Sequence, residues 1–438
     1  MAEAGPMSGF RDMLAEQMIP RQDMLSTIQD VYERYGFVPL QTPALERAET
    51  MDGKYGDEGQ KLMYRFEDNG GRQVAMRYDM TVPLARVVAQ HGGKLPMPYK
   101  RYTVGQVWRG ESPQAGRYRE FTQFDADIVG AESPFADAEV VTMMSDAMTA
   151  LGADALIRVN NRRILDALVD KAGVEDELSR RRFIGTIDKV EKIGLGAVLS
   201  EIGANYDDKA AELVHDYLST EGTTIDRLER IKALLGNSEA VDEGIGNLEQ
   251  VFRMLEAAGY GPDKIIFDPT IARGLDYYTG IIYETQLKGA PEFGSVCSGG
   301  RYDKLVAALG GPDLPAVGTS IGVDRLYDGL QKLSLLREAR TNTKVLVTNF
   351  NQDEAPRYLD IAQRLRASGI ATEVYYGPDK LAKQFKFANR QGIPQVIVMG
   401  PQEIERGVVV VKSMHTGVQA EVPLDGFVEF IREMVVQP

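Results

Sequence analysis

Between Met24 and Tyr35, apolar residues recur at Met24, Leu25, Ile28, Val31, Tyr32 and Tyr35, the spacing of a helix with one buried face, and Gly36 follows as a C-terminal cap. The run Phe37-Val38-Pro39-Leu40 then reads as a strand. Proline cannot donate to a ladder, so that strand belongs at an edge or an interface. From Tyr99 to Gly130 the period changes to two: KRYTVGQVWRG and EFTQFDADIVG are strands, and the polar stretch ESPQAGRYR joins them into a long antiparallel hairpin. In the second strand Phe124, Ala126 and Ile128 share one face, and Phe121, Gln123, Asp125 and Asp127 share the other. The first face is core. The second is either solvent-facing or the lining of a site.

From Arg158 to Gly259 the pattern is helical, with RRILDALVDKAG, AAELVHDYLS and NLEQVFRMLEAAG, which reads as a helical insertion between two parts of a β-rich sheet. Strand patterns resume at KIIFDPTIARG and YTGIIYETQL, followed by CSGGRYDKL and PAVGTSIGVDRLYDGL, whose glycines suit tight turns or close approach to a ligand. Beyond Lys344 the order is KVLVTNF, EAPRYLDIAQRLRASG, ATEVYY, DKLAKQFKFANRQG, PQVIVMG, which alternates strand and helix as a small α/β domain with a mainly parallel sheet does.

The 438 residues suffice for several domains, and a content of 43% hydrophobic and 26% charged residues excludes a mostly disordered chain. A net charge of −14 rules out a general basic coat for nucleic acid, so any such contact is local. Residues 341–438 carry 11 basic and 11 acidic side chains, hence no net charge, and the whole −14 lies before them. Within that neutral tail Lys380, Lys383, Lys386 and Arg390 fall on one helical face, either a solvated stripe or a track for an RNA backbone. Cys297 is the only cysteine, and the three histidines, His91, His215 and His415, are far apart, so neither a cysteine zinc cluster nor a histidine metal site is expected. The N-terminus has no apolar signal core and no segment reaches about 18 apolar residues, which points to a cytoplasmic protein without a membrane span.

Four segments carry a resemblance. RGLDYYTG (273–280) and SGGRYDKL (298–305), the most specific, with GRYREFTQFDADIVG (116–130) in the motif 2 region and GTSIGVDRL (318–326) in motif 3, are similar to segments of the histidyl-tRNA synthetases, a family of class II aminoacyl-tRNA synthetases, and stand in that family's order. The resemblance runs from about Ser8 to the C-terminal helix. It implies an α+β class II core, an antiparallel sheet flanked by helices, in residues 1–157 and 260–335, a helical insertion in 158–259, and an α/β anticodon-binding domain in 342–438. It also implies ATP with Mg²⁺, L-histidine and tRNA(His) as partners, and a homodimer formed around Pro43.

The implied chemistry is attack of the histidine carboxylate on the α-phosphate of ATP, followed by transfer to the tRNA 3′ end. Charge grows at the α-phosphate, so preorganised arginines suit the step. By resemblance Arg109 and Arg273 flank that phosphate as the catalytic pair and touch the histidine carboxylate, Arg325 holds the γ-phosphate, and Glu111 and Phe121 hold and stack on adenine. Asp127 is the implied carboxylate for the imidazole N–H, with Tyr278 the hydroxyl partner and Tyr277 and Tyr302 lining the pocket. If the strand there is regular, one of the neighbours Tyr277 and Tyr278 points away, and Tyr278 is the expected contact. Asp79, Thr81 and Gln123 match positions that bind the α-amino group and nearby polar atoms. A site that pairs both imidazole nitrogens rejects analogues lacking one by about 10⁴ to 10⁵, so no editing domain is required. Gln114 and the stripe from Lys380 to Arg390 are the implied tRNA contacts. Gly110 and Ser112 depart from the more basic loop of many bacterial members, which puts acceptor-end readout in doubt. The competing reading is a catalytically silent paralogue such as the regulatory subunit of ATP phosphoribosyltransferase. Such proteins typically lack the C-terminal domain and often lose the phosphate-binding arginines, whereas Arg109, Arg273 and Arg325 all stand here.

Overall fold

The computed structural model describes residues 4–113, 116–272 and 277–436. The chain divides into two compact units, residues 1–11 with 24–336 and residues 12–23 with 337–438.

The first unit is built on an eight-stranded sheet. Strand β1 (Val38–Pro39) is at one edge, and a small separate sheet of β2 (Leu45–Arg47), β3 (Arg65–Glu67) and β4 (Gln73–Met76) follows it in the chain. The large sheet continues with β5 (Tyr99–Trp108), β6 (Glu120–Val129), β7 (Ala155–Asn161), β8 (Ile265–Phe267), β9 (Ile281–Leu287), β10 (Ser295–Arg301) and β11 (Ala316–Gly322). Its order is β1-β5-β6-β11-β10-β9-β7-β8. The six inner strands are antiparallel, and the outer strands β1 and β8 pair parallel with β5 and β7. The proline-bearing strand is thus at an edge, where its missing N–H costs no ladder bond.

The helix that precedes it runs from Ala15 to Arg34, longer than the periodic stretch from Met24, and Gly36 follows at φ +80°. Met24, Ile28, Val31 and Tyr32 form its buried face. Each buried side chain of that size contributes about 1.5–3 kcal/mol over leaving it in water. Tyr32 packs edge-on against Phe124, so the apolar face of β6 is covered here, as its period-two pattern requires.

The helical segment starts at Arg162 rather than Arg158, because residues 155–161 form strand β7 of the large sheet. Asn161 marks the change: its side chain accepts from Arg163 N at 3.0 Å and caps the first helix. Helices then continue to Ala257, with Asp176, Asp207, Thr223 and Ser238 capping later ones.

In the second unit β12 (Val345–Val347), β13 (Thr372–Val374), β14 (Gln395–Val398), β15 (Val408–Ser413) and β16 (Gln419–Pro423) form a sheet in the order β13-β12-β14-β15-β16. The first three are parallel, as the alternating pattern predicts, and β15 and β16 add an antiparallel pair that it does not. Helices cover both faces: Tyr358, Ile361, Leu365 and Phe427 pack on Val345, Val347 and Ile397, and Ala388 and Ile393 pack on Leu346 and Val396.

Candidate active site

The register of the large sheet builds a polar floor. Thr103, Asp125, Ser320, Ser298, Glu284 and Arg158 are successive cross-strand neighbours on β5, β6, β11, β10, β9 and β7. The next row is Arg101, Asp127, Gly318, Gly300 and Ile282. Two glycines there are steric necessities: a Cβ on Gly318 would lie 1.9 Å from Asp127 Oδ1, and one on Gly300 2.9 Å from the Tyr278 ring.

Above this floor lies a cavity of about 370 Å³ lined by Asp79, Thr81, Arg109, Glu111, Phe121, Gln123, Tyr277, Tyr278 and Arg325 among others. Nine residues named from the sequence therefore meet in one space. At one end the Arg109 guanidinium lies 4.3 Å from the Tyr78 ring centroid and 5.1 Å from that of Phe121, and its Nε donates to Tyr78 O at 3.1 Å. Stacking and the hydrogen bond fix the plane of the guanidinium fork. Arg325, on the helix Val323–Lys332, donates to Ser295 O at 2.7 Å. Glu111 lies 3.8 Å from Arg117.

At the other end Asp79 sits at the start of the helix Thr81–His91. Its Oδ1 accepts from Tyr55 OH at 2.8 Å and Val82 N at 3.1 Å, and its Oδ2 from Tyr277 OH at 3.3 Å. Burial raises its pKa, and these donors oppose the rise. The carboxylate is held where it can meet an ammonium group.

Of the expected site residues, Asp127 and Tyr302 are not among those that line the open cavity. Asp127 is ion-paired to the fully buried Arg101 at 2.7 Å and accepts from Tyr302 OH. Its Oδ2, although close to Arg101, has no hydrogen-bond partner among the described residues. The expectation that Tyr277 and Tyr278 alternate is corrected. Residues 277–279 are not in a strand, so the alternation does not apply, and both rings face the cavity in an edge-on pair 5.2 Å apart. Tyr302 packs against Tyr277 from behind at 5.8 Å.

Arg273 and Gln114 lie outside the described residues. Lys380, Lys383, Lys386 and Arg390 belong to the second unit, all exposed along the helix Leu381–Gln391 and its first flanking residue, with Lys383 held by Asp379 at 2.9 Å. The cavity also contains residues that sequence reasoning did not assign: Ser298, Ser320, Glu284, Asp324, Arg117 and Tyr118. The period-two patterns of their strands mark one face for Ser320, Ser298 and Glu284, but only the register shows that it is the face shared with Gln123.

Comparisons with known proteins identify the family. A family model described as histidyl-tRNA synthetase matches residues 9–326, and one described as anticodon binding domain matches 344–434. The histidine–tRNA ligase of Rhodopirellula baltica is 42% identical over 419 residues, covering 95% of this chain and 94% of that protein. The ligase of Wolinella succinogenes is 40% identical over 418 residues, covering 94% of each. Among solved structures, the histidyl-tRNA synthetase from Nostoc sp. PCC 7120 superposes with a TM-score of 0.87 at 32% identity, covering 99% of this chain and 100% of that one. An ATP phosphoribosyltransferase regulatory subunit/histidyl-tRNA synthetase from Bacillus halodurans C shares the fold, with a TM-score of 0.75 at 21% identity over 88% of this chain and 97% of that one. A mixed sheet with an antiparallel centre, the family match over residues 9–326 and an anticodon-type second domain define a class II aminoacyl-tRNA synthetase. Within that class the chain belongs to the histidyl-tRNA synthetase family.

Proposed function

We propose that the chain ligates L-histidine to tRNA(His) in two steps, forming histidyl-adenylate and pyrophosphate from histidine and ATP and then transferring the histidyl group to the tRNA with release of AMP. The observation that carries this reading is that one cavity joins a preorganised arginine, Arg109, to a buried carboxylate, Asp79, ringed by tyrosines. Asp79 with Thr81 takes the α-ammonium group, which sets the carboxylate of the amino acid toward Arg109 and Gln123. Arg109 and, from the sequence, Arg273 stabilise the charge that grows on the α-phosphate as the carboxylate oxygen attacks and pyrophosphate leaves. Phe121 stacks on the adenine, Glu111 accepts from its amino group, and Arg325 meets the γ-phosphate.

The imidazole lies toward Tyr278. Asp127, whose Oδ2 has no hydrogen-bond partner among the described residues, is the carboxylate for the ring N–H, with the Tyr278 hydroxyl at the other nitrogen. Mg²⁺ arrives with ATP, held by phosphate oxygens and water. Among the described residues no group of three or more His, Cys, Asp or Glu is arranged to hold a metal ion.

A second copy of the chain covers edge strand β1 and its surroundings, where Val38 and Val104 are 48% and 41% exposed. The second unit binds the anticodon through the stripe from Lys380 to Arg390. No helix among the described residues is long and apolar enough to cross a membrane, and a cytoplasmic location fits the tRNA substrate. The regulatory-paralogue reading is not favoured, because the relatives that cover almost the whole chain are ligases and the anticodon-type domain is present. Charging of tRNA(His) transcript with labelled histidine, alongside the other amino acids, tests the reading. Charging with histidine alone supports it, and none with any amino acid overturns it.

A further inference from the structure

Tyr277 and Tyr278 lie outside any strand or helix, so no ladder holds them against the cavity. The two residues that follow are tied instead by separate bonds. Thr279 N donates to Arg301 O at 2.8 Å, and Arg162 N donates to Gly280 O at 2.7 Å. Thr279 Oγ1 donates to Asp303 Oδ2 at 2.9 Å, and Asp303 N points back to the same hydroxyl at 3.1 Å. Gly280 also lies against the Arg301 stem, where a Cβ would stand 3.0 Å from Cδ.

These bonds continue away from the cavity and close into a circuit. Arg301 Nη1 donates to Asp303 Oδ1 at 3.2 Å, and its Nε and Nη2 donate to Asp137 Oδ1 at 3.0 and 2.6 Å. Asp137 is fully buried, and its Oδ2 accepts from Asn247 Nδ2 at 2.8 Å. Asn247 belongs to the helix Glu239–Ala257 of the insertion, and its Oδ1 accepts from Asn161 Nδ2 at 3.0 Å. Asn161 precedes Arg162, whose N–H returns the circuit to Gly280. A buried carboxylate is costly to leave short of donors, so each oxygen of Asp137 depends on its own partner. Removing the Asn247 amide takes away the donor on Oδ2.

We propose that Asn247 is a positioning residue for the amino-acid pocket: through Asp137, Arg301 and Asp303 it holds Thr279 and Gly280, and with them Tyr278, where the imidazole is read. This inference rests on the reading that histidine occupies the cavity. Asn247 is not among the residues that line the cavity, and neither is any other described residue of the helices from Arg162 to Ala257. The insertion therefore contributes to histidine affinity without placing a side chain in the pocket. Arg109, Phe121 and Arg325, which the functional reading assigns to ATP, are carried by other elements, so the effect is confined to the amino-acid side.

The test is histidine-dependent exchange of pyrophosphate into ATP by the wild type, Asn247→Ala, Thr279→Val and the double variant, with kcat and the KM for histidine and for ATP separated. Each single variant is expected to raise the histidine KM about fivefold and to change the ATP KM by less than about twofold. The double variant should raise the histidine KM no further than the worse single one, because a circuit opened at one bond no longer transmits the other. An unchanged histidine KM in Asn247→Ala, even with a lower urea midpoint, would make the residue merely structural and overturn the proposal. Equal rises in both KM values, or single effects that multiply in the double variant, would overturn it too. Alanine suits a helix interior, so Asn247→Ala is expected to fold. Should Thr279→Val fail to fold, the split between the two KM values in Asn247→Ala decides alone. Absence of exchange in the wild type would instead overturn the functional reading on which the proposal rests.

Discussion

Gly318→Ala adds one methyl group to the floor, and its cost follows from the geometry of its neighbours. The new Cβ lies 1.9 Å from Asp127 Oδ1, 2.5 Å from its Cγ and 2.9 Å from Ala126 O. To reach the 3.4 Å of ordinary contact, the carboxylate oxygen must retreat by about 1.5 Å. That oxygen accepts from Tyr302, and its partner oxygen is 2.7 Å from Arg101, which is fully buried. A retreat of that size parts the ion pair. Overpacking alone costs about 1–3 kcal/mol and breaking a buried pair about 3–5 kcal/mol, so a loss near 3 kcal/mol is expected. The backbone contact at 2.9 Å needs only a few tenths of an ångström and adds little.

The single tryptophan, Trp108, is on β5 at 9% exposure, so its emission in a urea titration reports unfolding of this sheet. Gly196→Ala is the control: nothing lies within 4 Å of its Cβ, and in the helix Leu195–Asn205 it is expected to stabilise by about 0.5–1 kcal/mol. Burial already raises the Asp127 pKa, and parting it from Arg101 raises it further. The mutant's native state then binds a proton more tightly than the wild type's, so its deficit should shrink as pH falls. A loss below about 1 kcal/mol that does not change with pH would refute the claim that Gly318 exists to seat a charged Asp127.

Other perturbations separate the parts of the account. Arg273→Ala should abolish histidine-dependent exchange while leaving tRNA affinity nearly unchanged, and equal loss of both would remove Arg273 from the chemical step. Charge reversal at Lys383 and Lys386 should weaken tRNA binding and flatten its salt dependence while sparing exchange, and unaltered filter-binding curves would make the stripe a solvated face. Cys297 is 2% exposed and burial pushes its thiol up to about 12, so a thiol reagent should label it at pH 8 only as fast as the chain unfolds. Immediate labelling of the native protein would mean that the floor of the cavity is open.

Much of this was legible in the sequence because the signals are local. Period two in EFTQFDADIVG separates the core residues Phe124 and Ala126 from the polar face, and that face proves buried against the cavity rather than open to solvent. Pro39 marks an edge, and the strand and helix alternation after Lys344 gives the parallel part of the second sheet. What was not legible depends on register and long range. Asp127 meets Arg101 because β5 and β6 pair at those residues, and meets Tyr302 across 175 positions of chain. No sequence pattern shows these neighbours. The alternation of Tyr277 and Tyr278 holds only for a regular strand, and residues 277–279 are not in one. Arg158 to Asn161 look like the start of a helical region, yet they complete a strand whose partner β9 comes 120 residues later. Ser320 and Glu284 are ordinary strand residues until the sheet places them in the Asp125 row.

The most direct test of the central claim is exchange of labelled pyrophosphate into ATP with histidine and no tRNA, using the other amino acids as controls. Exchange with histidine alone is the predicted result. Folded protein that shows no exchange with histidine, or equal exchange with another amino acid, would contradict the assignment of the cavity to histidine activation.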